Sequence, residues 1–75
     1  MSPGLPILKS RDVIGILRKL GFIGVRQKGS HAFFEHPDGR VTLVPVHGNE
    51  DIGRGLMRQI LREINLTPEE FSKYL

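Results

Sequence analysis

Residues Phe22 to Val46 read FIGVRQKGSHAFFEHPDGRVTLVPV, and this run decides the fold. Two turn signals divide it. Lys28-Gly29-Ser30 is the first, where glycine can take positive φ. Pro37-Asp38-Gly39 is the second: proline presets φ, aspartate bonds back to the turn backbone, and glycine tolerates the left-handed region. Between and around them the chain is rich in Val, Ile, Thr and Phe, the residues that suit a pleated surface. Three strands are expected: Phe22 to Gln27, His31 to His36 and Arg40 to Val46. Short turns join neighbours antiparallel, so the three form a meander. Pro45 places the end of the third strand at an edge or a bulge, because proline has no N–H to give to a ladder.

On the N-terminal side, Val13, Ile14, Ile16, Leu17 and Leu20 recur at helical spacing. Ser10 is the expected N-cap, Asp12 favours the positive helix end, and Gly21 is the expected stop. The helix is then about 11–20. Met1 to Leu8 holds Pro3, Gly4 and Pro6, which oppose regular structure, and reads as a flexible lead-in to one domain over 9–75. On the C-terminal side, His47 to Asp51 reads as a polar loop. A second helix is expected over 54–64, with Leu56, Met57, Ile60, Leu61 and Ile64 as its apolar stripe. Thr67-Pro68-Glu69-Glu70 has the form of a capping box with proline at the first helical position. It starts a short last helix whose Phe71, Tyr74 and Leu75 are expected to return to the core. The order α-β-β-β-α predicts an α+β fold: a two-layer sandwich, a three-stranded antiparallel sheet with its helices on one face.

Composition narrows the function. The chain of 75 residues has no cysteine, so disulfides and thiolate zinc sites are excluded. No secretory leader and no apolar run of about 20 residues is present, so a soluble, cytoplasmic protein without a membrane partner is expected. Eleven Lys and Arg against eight Asp and Glu give a net charge of +3, which suits a polyanionic partner and equally suits plain solubility.

The chemistry concentrates in Arg26-Gln27-Lys28-Gly29-Ser30-His31. A tight turn there gathers two cations, a hydroxyl and an imidazole. Imidazole exchanges protons near neutral pH. Lys28 and Arg26 suit a phosphate and the charge that builds on it. Cleavage of RNA needs little else, because the ribose 2′-OH is its own nucleophile once a base takes its proton. Strand alternation puts His31, Phe33 and Glu35 on one face and Ala32, Phe34 and His36 on the other. Glu35 resists burial, so the His31 face is expected to be open. Phe33 would then be either a platform for a base or a core residue. A polar strand histidine with no chemical role is the competing reading of His31. A site of His31, His36 and His47 is disfavoured, because His31 and His36 fall on opposite faces. No metal and no organic cofactor are expected. Arg54, Arg58 and Arg62 make a basic helix stripe, read as a phosphate track, a dock for an acidic protein, or a solvated face.

These motifs occur together in one family. Lys9-Ser10-Arg11-Asp12-Val13-Ile14, Leu20-Gly21-Phe22, Arg26 to His31, His36-Pro37-Asp38-Gly39-Arg40, Val44-Pro45-Val46-His47, Gly55, Ile60-Leu61 and Leu66 to Phe71 resemble the HicA toxin family. The resemblance runs from about Leu8 to Leu75. It implies a fold like the double-stranded RNA-binding domain. It further implies the toxin of a type II toxin–antitoxin pair, an endoribonuclease that cuts mRNA, with His31 as the catalytic residue and a HicB-like antitoxin as partner. Lys28, Gly29 and Ser30 are then the expected RNA-binding residues, with Arg26 and Arg40 as further candidates. A non-catalytic RNA-binding module of the same fold is the alternative. Two positions depart from the common family pattern: Arg54 replaces a proline, and Ala32 replaces a frequent second histidine or other polar residue, which leaves His31 alone as acid and base.

Overall fold

The computed structural model describes residues 5–46 and 49–75. The order is β1 (Leu8–Lys9), α1 (Ser10–Lys19), β2 (Ile23–Lys28), β3 (His31–Glu35), β4 (Val41–Pro45), β5 (Asp51–Ile52), α2 (Arg54–Ile64) and α3 (Pro68–Ser72). Strands β2, β3 and β4 form the expected antiparallel meander, in that spatial order. The fold is α+β, as the periodicities predict.

Register fixes the two faces. Ala32 pairs with Gln27 and Val44, and Phe34 with Gly24 and Thr42; Ala32, Phe34, Thr42 and Val44 are all buried. Against them α1 places Val13, Ile16 and Leu17, α2 places Met57, Ile60, Leu61 and Ile64, and α3 places Phe71. A 10–11-residue helix is marginal alone, so this shared apolar layer is what holds each one. The other face has no buried residue. It carries Ile23, Glu35 and Val41 at one end, Arg26, Phe33 and Leu43 in the middle, and Lys28, His31 and Pro45 at the other end. A bulge at Val25, between Gly24 and Arg26, lets β2 keep this alternation.

Several expectations are corrected. Ser10 is not the N-cap. Lys9 is, and its N–H donates to Asp12 Oδ2 at 3.0 Å. Ser10 is fully buried, and its backbone N–H donates to the Glu50 carbonyl at 2.9 Å. The cause is a two-stranded ladder that sequence patterning did not show: Leu8 and Lys9 pair with Ile52 and Asp51. The ladder also puts Leu8 in the core, together with Leu5, so the end of the supposed lead-in is structural. At the other terminus only Phe71 is buried. Tyr74 and Leu75, beyond the end of α3 at Ser72, are exposed. The Thr67–Glu70 capping box forms as expected, with reciprocal bonds of 3.1 and 2.9 Å.

Candidate active site

The β2–β3 hairpin closes through two residues, Gly29 and Ser30, with Lys28 and His31 directly opposite each other. Gly29 has φ +61° while Ser30 has negative φ, the sign pattern of a II′ turn, which matches the twist of its flanking strands. Gln27 Nε2 donates to the Gly29 carbonyl at 3.1 Å, and Val46 N–H donates to the Ser30 carbonyl at 2.8 Å. The turn is therefore held from both sides. Lys28 and His31 project from the uncovered sheet face, where directly opposed Cβ atoms lie about 4.5–5.5 Å apart. Both side chains are exposed, and neither has a hydrogen bond or ion pair among the described residues.

Arg26 and Phe33 are the next opposed pair on this face. The Arg26 guanidinium carbon lies 4.7 Å from the Phe33 ring centroid. Phe33 is half-buried beneath it, flanked on the other side by Leu43. Lys28, His31, Arg26 and Phe33 thus form one contiguous patch.

The β3–β4 turn lies at the opposite end of β3. His36 Nε2 lies in hydrogen-bond contact with the Leu20 carbonyl at 3.2 Å, and the Asp38 N–H donates to Nδ1 at 3.1 Å. Asp38 Oδ1 lies 3.0 Å from the same Nδ1. The ring packs edge-on against Phe22, centroids 5.1 Å apart. Gly21 has φ +100°, and a Cβ there would sit 3.1 Å from His36 Nε2, so glycine is needed for both reasons. Arg40 places its Nε 2.9 Å from Asp38 Oδ2, gives Nη1–H to the Ile64 carbonyl at 2.5 Å and lies over the Phe22 ring. The Arg40 guanidinium beside Asp38 holds that carboxyl below its ordinary range.

Residues 10–66 of the 75-residue chain match the family described as HicA toxin of bacterial toxin–antitoxin. The chain belongs to the HicA toxin family. Its role is therefore that of the toxin in a toxin–antitoxin pair, a class whose members pair with an antitoxin. No curated protein matches the chain.

In this HicA chain the expected RNA-binding set is divided. Arg26, Lys28, Gly29, Ser30 and His31 come together; Arg40 does not, since β4 begins beside Glu35 and runs the length of β3 before reaching His31. Arg40 instead caps the negative end of α2, where the last carbonyls have no helical partner. The basic stripe is divided too. Arg54 Nη1 donates to the Leu5 carbonyl at 3.2 Å, whereas Arg58 and Arg62 are exposed without a partner among the described residues. His47 lies outside the described residues. Among those described, no group of three or more His, Asp or Glu side chains has the arrangement to hold a metal ion, and no helix is long and apolar enough to cross a membrane. Phe33 was legible only as a residue of the open face. The guanidinium covering it has no local sequence signal, because it arrives from the neighbouring strand past a bulge.

Proposed function

We propose that this HicA toxin is an endoribonuclease that cuts mRNA in the cytoplasm without a metal ion, with His31 as its catalytic residue. The observation that supports this reading is an exposed imidazole on an uncovered sheet face, directly opposite Lys28 across a tight turn. His31 takes the proton of a ribose 2′-OH. The freed oxygen attacks the adjacent phosphorus, the bond to the 5′-oxygen breaks, and that oxygen leaves with a proton from the imidazolium or water. The products are a 2′,3′-cyclic phosphate and a 5′-hydroxyl. Lys28 offsets the extra negative charge on the phosphorane, and the exposed Gly29, which has no side chain, lets the phosphate approach beside Ser30. A HicB-like antitoxin restrains the toxin by covering this same patch.

The test is direct. The purified chain cuts single-stranded RNA in excess chelator, and His31→Ala abolishes cutting with an unchanged circular dichroism spectrum. Full activity in that variant removes His31 from catalysis, and loss of wild-type activity in chelator removes the metal-independent mechanism. RNA binding with no cutting by the wild type leaves the non-catalytic module.

A further inference from the structure

The cations of the open face are not equivalent. Lys28 stands beside His31 with no partner for its ammonium among the described residues, as a point charge for a phosphate. Arg26 is held over an aromatic ring at 4.7 Å. Such a contact at an exposed position contributes only about 0.5–1 kcal/mol, so it is a weak reason for leaving a phenylalanine on an uncovered sheet face. It does something else: it presents a planar, charged group to solvent, supported from below by Phe33 and, through Phe33, by Leu43. Nucleobases stack on guanidinium planes as they do on aromatic rings.

Position agrees with chemistry. Phe33 is two residues from His31 on the same strand face, a separation of about 6.7 Å along the strand. A phosphate between Lys28 and His31 therefore has one of its flanking bases over Arg26. Charge agrees as well: Arg26 and Lys28 form no ion pair among the described residues, and Glu35, the acidic residue of the face, lies at its far end. A paired base cannot use this surface, because in a duplex its faces are stacked and only its edges reach the grooves.

We propose that Arg26 and Phe33 form a nucleobase-stacking subsite for single-stranded RNA, with Arg26 as the contacting plane and Phe33 as the positioning residue beneath it. The proposal rests on the ribonuclease reading only for where the scissile phosphate lies. Arg26 thereby recognises an unpaired base rather than a phosphate, and the subsite selects unpaired message over duplex.

The experiment measures binding of a fluorescent single-stranded RNA of about ten nucleotides by anisotropy in the His31→Ala background, across a salt series. Arg26→Lys keeps the charge and loses the plane, and is expected to lower affinity about 5- to 100-fold with an unchanged salt slope. Phe33→Leu gives a similar loss, and Phe33→Tyr restores wild-type binding. Lys28→Ala instead makes the salt slope shallower by about 0.7. An abasic site moved along the RNA weakens the parent at one position, and at that position Arg26→Lys costs nothing more. Binding unaffected by Arg26→Lys and Phe33→Leu, with only a lowered melting temperature, makes the pair a surface staple and overturns the proposal. A loss confined to Arg26→Ala makes Arg26 a phosphate contact and also overturns it, as does duplex bound as tightly as single strand. Failure of the two readings is distinguishable: base-dependent binding without cutting by the wild type retires His31 alone, and normal cutting with unaffected binding retires the subsite alone.

Discussion

At one end of β3 a histidine, a glycine and two arginine or lysine side chains surround a two-residue turn; at the other end a histidine, a glycine and an arginine surround a second turn. The inventories are nearly the same and their states are opposite. His36 has both ring nitrogens engaged, and Arg40 bonds a carboxylate and a helix carbonyl. His31 and Lys28 bond nothing among the described residues and face solvent. The difference comes from what lies behind each turn. The end of α1 and the end of α2 both arrive behind the His36 turn and offer it unpaired carbonyls. Among the described residues, none offers the His31 or Lys28 side chain a hydrogen bond or an ion pair. A polar group becomes structural where the fold supplies its partner, and stays available for chemistry where it does not.

Exchanging the roles breaks the contrast, and His31→Ala gives the largest expected effect. Loss of a general base costs about 10²- to 10⁴-fold in cleavage rate, read by single-turnover assay, with the urea midpoint unchanged. A large drop in that midpoint would put His31 in the same class as His36. His36→Ala should do the reverse. It leaves the Leu20 carbonyl and Asp38 N–H without their partner and is expected to lose about 1–3 kcal/mol of stability, while the folded fraction cuts RNA normally. In a chain whose core supplies about 3–5 kcal/mol, that loss is visible as partial unfolding near 37 °C. Gly21→Ala tests the same contact from the other side. It combines a φ that L-residues avoid with a 3.1 Å approach to His36, and is expected to cost at least about 1 kcal/mol.

Arg40→Met against Lys28→Met sharpens the comparison with smaller effects. The first removes a helix-end cap and a contact over Phe22, expected to lower stability by about 1 kcal/mol with cleavage intact. The second should lower cleavage about tenfold and leave the denaturation curve where it was. Equal behaviour of the two variants would erase the distinction between the turns.

The smallest effect is a pH dependence. Asp38 is lowered by its bonds from Arg40, and Glu70 by its bonds from Thr67. A lowered carboxyl stabilises the fold above its ordinary value, and that contribution disappears as pH falls through the folded-state value. Urea midpoints should therefore be insensitive to pH near neutrality and decline below about pH 4. Asp38→Asn and Glu70→Gln should each make that decline shallower; an unchanged slope in both would detach the capping bonds from acid stability.

The meander, its two turns, the stripe of α2 and the capping box of α3 were all legible in the sequence, because each depends on residues a few positions apart. The open His31 face was legible for the same reason: period-two alternation with Glu35 in phase decides which side is wet. The site was legible only in part. Arg26 and Arg40 look alike as cations near turns, yet one lies over Phe33 and the other is tied to Ile64, 24 residues away. Ser10 looked like a cap and is a buried donor to Glu50, 40 residues on.

Taken alone, the sequence determined the strand order, the helix positions, the face on which His31 stands and the family. The first three follow from turn chemistry and from the periods of 2 and 3.6 residues, which a chain displays locally; the family follows from its motifs. Tertiary structure alone decided which cations are free, that Leu5 and Leu8 belong to the core, and that β1 pairs with β5. Those outcomes depend on carbonyls and apolar surface brought in from distant parts of the chain, and a contact across 40 residues has no period to read.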